Sequence, residues 1–225
     1  MKLVMLGNDT KEEIEKRLQI VASAGNLSRA DGTVTQVFES NNDYDKNLKL
    51  ARAVVGYGHK SIAEHDYIVF ALEDVTPIVE QTIIGYRLTS FTIKSRRNVD
   101  FRNVGFYVPD FHDKDGKVLK NNKTLQKQYK AYMQSLFDKY GELVDEEIPV
   151  EDCRYILPYS YYSNIIMGCD ANELMRMTSD MLHGKISHIP EIRELGEKFE
   201  AMIKENPPYL TRALDAEAGK DYYED

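Results

Sequence analysis

The feature that most constrains this chain is a stripe. Leu125, Tyr129, Tyr132, Leu136, Tyr140 and Leu143 recur at steps of three and four, which places them on one face of a helix that must pack by that face. Strand-like runs are few beside it. LVML at 3–6 is short and apolar, YIVFALEDV at 67–75 is rich in β-branched and aromatic residues, and FYVP at 106–109 reads as a strand end. These runs do not alternate with helices in the manner of a βαβ array, so the pattern predicts an α+β fold.

The remaining helices announce themselves by their ends. Thr10 followed three residues later by Glu13 is a capping-box pattern, and a first helix is expected to about Ser23. Gly25, Asn26, Asp31 and Gly32 mark 24–35 as a loop. A second helix is expected over roughly 42–56, closed by Gly56 and Gly58. Pro77 suits the first turn of a helix running toward Arg87, and a basic loop follows. DKDGK at 113–117 reads as a turn. Three more helices are expected over about 150–166, 170–184 and 188–205, the last stopped by Pro207-Pro208. One domain over 1–206 with a polar tail over 207–225 is the expected organisation, and no internal repeat is present.

Composition narrows the function classes. With 225 residues, 42% of them hydrophobic, the chain can bury its own core without covalent staples. No apolar run approaches about 18 residues, and the N-terminus lacks a secretory pattern, so a cytoplasmic protein that avoids membranes is expected. Cys153 and Cys169 are too few for a disulfide scaffold or a thiolate zinc site and read as small buried hydrophobes. A net charge of −8 argues against binding a nucleic acid polymer. Yet Lys94, Arg96, Arg97 and Arg102 crowd into nine residues, which suits a small anion. Neither glycine-rich phosphate motif occurs, so a nucleotide would have to be held by side chains and helix ends.

Four stretches could carry chemistry. In Gly58 to His65 two histidines flank a hydroxyl and a carboxylate. The histidines are six apart, on different helical faces, which disfavours zinc; hydrogen bonding at the start of the following strand is an equally open reading. Gly85 to Arg97 interleaves hydroxyls with guanidiniums, the combination that grips a phosphate monoester, although such a run also fits a solvated loop. Asp152 to Pro158 sets an arginine beside an apolar turn, and Glu191-Ile192-Arg193 reads by itself as a surface helix pair.

Taken in order, these stretches resemble the flavin-dependent thymidylate synthases. That family shows G-H-x-S/T-x-x-E-H before a strand, then R-H-R, seven residues and S, then F-Y-x-P, A-R-x-x-L-P and a late E-I-R. Gly58 to His65 fits the first motif. Arg87 and Ser95 keep the seven-residue gap and Arg97 the arginine two places on. Phe106 to Pro109, then Arg154, Leu157 and Pro158, then Glu191 to Arg193 match the rest, so the resemblance runs from about 10 to 205. Gly85-Tyr86 stands where the family has Arg-His, Thr92 and Ile93 where it has Asn and an acid or its amide, and Arg96 where it has Gly. Asp170-Ala171-Asn172 replaces N-x-R, and Asp180-Met181 aligns with an L-R pair, for which His183 or Lys185 would stand in after a register shift.

The resemblance implies an antiparallel-containing central sheet flanked by helices, a homotetramer, and methylation of dUMP to dTMP. FAD and NADPH would be the cofactors and methylenetetrahydrofolate the one-carbon donor. By similarity His59, Ser61, Glu64 and Asn172 would contact flavin, Arg87 would lie between flavin and nucleotide, and Ser95, Arg97, Arg154 and His183 would hold dUMP. Arg87, Ser95 and Arg154 would serve catalysis; no metal and no enzymic thiol is implied. The departures leave two further readings: action on another pyrimidine nucleotide or with another one-carbon product, or a non-catalytic nucleotide-binding homo-oligomer.

Overall fold

In the computed structural model, which describes residues 1–7, 9–211 and 214, local signals set most element starts. β1 covers Lys2–Met5. α1 covers Lys11–Leu27, where the Glu13 amide donates to Thr10 Oγ1 at 3.3 Å and the Thr10 amide to Glu13 Oε2 at 3.1 Å. This helix outruns Ser23 and takes in Gly25, where a Cβ would lie 3.6 Å from Ile62 and 3.8 Å from Val54, so close packing at that position accompanies the residue's low helix propensity. A second capping box, Thr33 with Gln36, opens α2, Val34–Ser40, inside the expected loop. α3, Tyr44–Gly56, follows, and a 3-10 turn, Lys60–His65, leads to β2, Tyr67–Val75.

Pro77 begins α4, Pro77–Ile84, and β3 is Thr89–Ile93, part of the stretch read above as a basic loop. α5 covers Asn122–Asp145. Of its expected stripe, Tyr140 is fully buried while Tyr132 faces outward. The helix expected over 150–166 is broken up: α6 is Val150–Cys153, a 3-10 turn Arg154–Ile156 follows, and β4 is Ser163–Asp170. The cause is local. Pro158 pushes the residue before it out of the helical region, and Ile165, Met167 and Cys169 are buried alternately, the period of a strand. α7, Ala171–His183, and α8, Pro190–Glu205, complete the main elements.

The four strands lie in the order β1-β2-β4-β3. β2 and β4 run antiparallel: Asp66 C=O accepts from the Ala171 amide at 2.8 Å at one end, and the Asp74 amide donates to Asn164 Oδ1 at 3.2 Å at the other. The mixture of helices with an antiparallel sheet is the expected α+β architecture. No helix among the described residues is long and apolar enough to cross a membrane.

The chain divides into two compact units: unit 1, Met1–Leu72, Thr82–Phe91 and Ile166–Asp225, and unit 2, Glu73–Gln81 and Thr92–Ile165. In unit 1, Phe70 meets Phe199 edge-on at 5.4 Å, and a buried Arg17 Nε donates to Asp66 at 2.6 Å while the Tyr209 hydroxyl donates to the same carboxylate at 2.7 Å. Tyr209 and Leu210, in the first part of the expected tail, are therefore buried; 212–213 and 215–225 lie outside the described residues. Unit 2 has its own core, in which Phe101, Phe137, Tyr140, Cys153 and Tyr161 pack together.

Candidate functional site

The first candidate stretch forms a polar edge on unit 1. After α3 the chain turns through Gly58 at φ 98°, a left-handed conformation that glycine adopts without strain. The 3-10 turn then buries Ile62 and Ala63 and leaves His59, Ser61 and Glu64 exposed. Residues three apart eclipse in a 3-10 turn, so Ser61 and Glu64 project from one side. Glu64 Oε1 accepts from Asn172 Nδ2 at 3.3 Å. Asn172 lies in the first turn of α7, whose N-cap Asp170 accepts from the Glu173 amide at 2.9 Å. Burial, partly offset by those amide bonds, pushes the Asp170 carboxyl above its ordinary value. Two residues assigned to cofactor binding, Glu64 and Asn172, are thus direct partners.

A second cluster in unit 1 surrounds the Gly85-Tyr86-Arg87 turn. Arg87 is exposed. Tyr86 is buried, and its hydroxyl donates to the buried Asp180 of α7. The Arg176 guanidinium stands 5.2 Å from the Tyr86 ring centroid and is itself held by Glu173 through two bonds of 2.9 and 2.6 Å. That doubly bonded pair raises the pKa of Arg176. A Cβ at Gly184 would fall 2.0 Å from Asp180 Oδ1, so the carboxylate needs a glycine there. His183, at the last turn of α7, is exposed. It is eleven residues from Asn172, roughly 16 Å along the helix, so the two side chains are too far apart to meet one small group. Arg193 of the late motif donates to Leu182 C=O at 3.5 Å, at the end of the same helix.

Unit 2 carries the basic stretch after β3. Its four cations are dispersed rather than pooled. Arg102 is tied to Asp100 at 2.6 Å and Asp145 at 2.9 Å, and Lys94 lies 5.5 Å from the Phe101 ring centroid. Arg96 turns inward to the buried Glu80, 2.6 Å away, and to the Tyr161 hydroxyl. Burial, the largest single influence, works against the Arg96 charge, but the bond to Glu80, the Glu80 charge and Tyr161 together outweigh it and the pKa rises. Burial and the charge of Glu80 push the Tyr161 phenol up to about 12. Arg97 alone of the four projects strongly into solvent, 63% exposed, and meets the carboxylate of Glu151 at 2.7 Å. Its amide donates to Ser95 Oγ at 3.2 Å, which joins Ser95 and Arg97 in one turn. Arg154, half-buried three residues beyond Glu151, lies 5.4 Å from the Tyr155 ring centroid.

The site residues therefore fall into two sets. His59, Ser61, Glu64, Arg87, Asn172 and His183 belong to unit 1, and Ser95, Arg97 and Arg154 to unit 2. Sequence reading marks Tyr86 and Asp180 only as departures from the motifs, and misses Arg176, Glu80, Tyr161 and Glu151. For Glu80 a signal existed: a lone carboxylate in the apolar run PIVEQTII that buries without a local cation needs a distant one.

Comparison with known proteins agrees with the motif order. The pattern of the family described as "Thymidylate synthase complementing protein" matches residues 11–209. A flavin-dependent thymidylate synthase from Geobacter sulfurreducens is 31% identical over 194 residues, 85% of this chain and 79% of that protein. Those from Thermococcus onnurineus and Pyrococcus furiosus are 30% and 29% identical, over 76% and 91% of this chain and 66% and 80% of theirs. The matched segment thus spans about two thirds of the Thermococcus onnurineus relative's length (66%). Among solved structures, a UMP/dUMP methylase, PolB, from Streptomyces cacaoi, bound with 5-Br dUMP, superposes with a TM-score of 0.72 at 23% identity, covering 97% of this chain and 95% of that one, a likeness of fold. The ordered motifs, the α+β fold and a family match over nearly the whole chain place it among the flavin-dependent thymidylate synthases.

Proposed function

We propose that this protein methylates dUMP at carbon 5 to give dTMP, with FAD and NADPH as cofactors and methylenetetrahydrofolate as one-carbon donor, as a cytoplasmic homotetramer. The observation that carries the reading is the Ser95–Arg97 turn, in which a hydroxyl and an outward-projecting guanidinium are held together. That is the donor set a phosphate monoester requires. Ser95, Arg97 and Arg154 hold the nucleotide, with His183 as a further contact. His59, Ser61, Glu64 and Asn172 hold flavin, and the fit is chemical: an exposed edge of imidazole, hydroxyl and carboxylate backed by an amide matches the hydroxyls and phosphates of a dinucleotide. Arg87, exposed on unit 1, is the residue assigned in this reading to the pyrimidine and the flavin.

Held by His59, Ser61, Glu64 and Asn172, flavin would supply the redox and one-carbon carrier chemistry. The chain's own part is electrostatic: Arg87 and Arg154 stabilise negative charge that develops on the pyrimidine, a role worth roughly 3–4 kcal/mol per preorganised donor. Neither cysteine takes part, since both thiols are buried. Absorbance of the pure protein with and without FAD, titration with dUMP, and tritium release from carbon 5 with dTMP as product test the proposal. A protein that never acquires flavin absorbance in excess FAD refutes it.

A second reading has a specific observation behind it. Tyr86 stands at the family's His and Asp180-Met181 at its L-R pair, and the Tyr86 hydroxyl donates to Asp180, so the one donor at the His position is spent within the protein and the pair's arginine is replaced by Met181. Action on another pyrimidine nucleotide, or binding without turnover, follows from that loss, and product analysis across UMP, dUMP and dCMP separates these outcomes.

A further inference from the structure

Arg96 stands between the two residues assigned to the nucleotide phosphate, at a position where the family has glycine, and it does not point where they do. Its side chain is 30% exposed against 63% for Arg97. We propose that Arg96 is a positioning residue, an internal anchor that locks the Ser95–Arg97 turn so that its hydroxyl and guanidinium are presented in advance of the ligand. This inference rests on the reading of Ser95 and Arg97 as phosphate holders.

The anchor has three parts, all in unit 2. Arg96 Nη1 donates to Glu80 Oε2 at 2.6 Å and also to the Tyr161 hydroxyl. Its guanidinium carbon lies 5.5 Å from the Tyr161 ring centroid, so the cation is held from the side by a charge and from the face by a ring. Glu80 is fixed in the first turn of α4, with its side chain 5% exposed. Its second oxygen, Oε1, is buried with no hydrogen-bond partner among the described residues, which makes Arg96 the counter-charge on which this carboxylate depends. Tyr161 is pinned in turn against Phe101, edge-on at 5.7 Å.

The turn's other attachments lie at its two ends: the Lys94 amide donates to Asn164 C=O at 3.0 Å, and Arg97 meets Glu151 in an exposed pair. The Arg97 amide donates to Ser95 Oγ at 3.2 Å and the Val99 amide to Ser95 C=O at 3.1 Å, both internal to the turn. Arg96 is the inward tie at its centre. A glycine in the middle would leave backbone freedom that ligand binding must remove; a half-buried, triply held arginine removes it beforehand. Adjacent side chains diverge in such a turn, so Arg96 held inward leaves Arg97 outward.

The test compares dUMP binding and turnover in four holoenzymes: wild type, Arg97→Ala, Arg96→Lys, and the double variant Arg96→Gly/Glu80→Gln, which removes the buried charge along with its partner and so spares the fold. The double variant is expected to raise Kd and KM for dUMP on the order of tenfold, the scale of one charge-assisted bond held in place, with kcat at saturation and the melting temperature little changed. Arg96→Lys, which keeps the bond to Glu80, is expected to restore most of the affinity. Wild-type dUMP affinity in the double variant, while Arg97→Ala binds poorly, overturns the anchor and leaves the phosphate reading intact. A loss that Arg96→Lys does not restore also overturns it. Undiminished binding by Arg97→Ala removes the phosphate reading, and the anchor with it.

Discussion

The Tyr86 hydroxyl donates to the carboxylate of Asp180 inside unit 1, and both residues are buried. These are two of the positions at which the chain departs from its family's motifs, and they are each other's partners. A tyrosine alone in place of the motif's histidine would leave a buried hydroxyl to satisfy; an aspartate alone in α7 would leave a buried charge. Together, with Arg176 against the ring and Glu173 behind Arg176, they close a polar network. The departures therefore act as one substitution of a network.

Coupling is the consequence to measure. Tyr86→Phe removes a donor from a buried carboxylate, and hydrogen bonds to charged groups contribute roughly 1.5–3 kcal/mol. A drop in urea-unfolding free energy of that order is expected. Asp180→Asn combined with Tyr86→Phe should cost less than the two single losses added; strict additivity would show that the pair does not interact.

The buried Arg17–Asp66 pair, at 2.6 Å, predicts a larger loss. Asp66 also accepts from the buried Tyr209 at 2.7 Å, so Arg17→Met strands a carboxylate that one neutral donor cannot compensate. Removing one partner of such a pair typically costs about 3–5 kcal/mol. Thermal melts of Arg17→Met should fall well below those of Tyr209→Phe, and equal melts would contradict the ranking.

How much of this could be read from the sequence depended on the range of the signal. Thr10 with Glu13 and Pro77 are contained within one helical turn, and both starts appeared as expected. The α5 stripe located that helix, although Tyr132 faces solvent. β3 was hidden because Thr89–Ile93 is short and followed by Lys94 to Arg97, whose charge suggested a loop. β4 was merged into a helix because IIM at 165–167 fits either period; only pairing with β2, about ninety residues away in sequence, decides it. Motif spacing names candidate residues that are exposed or half-buried. Glu80, Tyr161 and Asp180, which face inward and hold them, are fixed by pairings of 16, 65 and 94 residues' separation, which no local pattern encodes.

Alkaline stability should report the unit 2 anchor. Burial first, and then the charge of Glu80, raise the Tyr161 phenol from its ordinary 10.0 to about 12. Between those values the folded state holds a proton that the unfolded state has lost, so this group's stabilising contribution is complete below pH 10 and disappears as pH rises through about 12. The stability difference between wild type and Tyr161→Phe should be constant below pH 10 and shrink above it. A difference independent of pH would place the phenol in water.

Both cysteines should be silent. Cys153 and Cys169 are 1% and 0% exposed, and burial raises both thiol pKa values, which suppresses the reactive thiolate. Thiol reagents such as dithionitrobenzoate should label neither residue in the native protein and both after unfolding. Rapid native labelling together with loss of turnover would identify an enzymic thiol.

Glu151 offers the most direct test of the proposed nucleotide site. Its two oxygens meet Arg97 Nε at 2.7 Å and Nη2 at 3.3 Å, a fork-on-carboxylate contact that a phosphate would need for itself. The pair is solvent-exposed at 63% and 44%, so it adds only about 0–1 kcal/mol to stability. Displacing it subtracts a similar amount from nucleotide affinity. Glu151→Gln should therefore leave the melting temperature unchanged and lower KM for dUMP by roughly two- to fivefold at low salt, with kcat unaltered. The gain should fade as ionic strength screens the carboxylate. A KM that rises instead would mean that Glu151 orients Arg97 for the phosphate rather than competing with it.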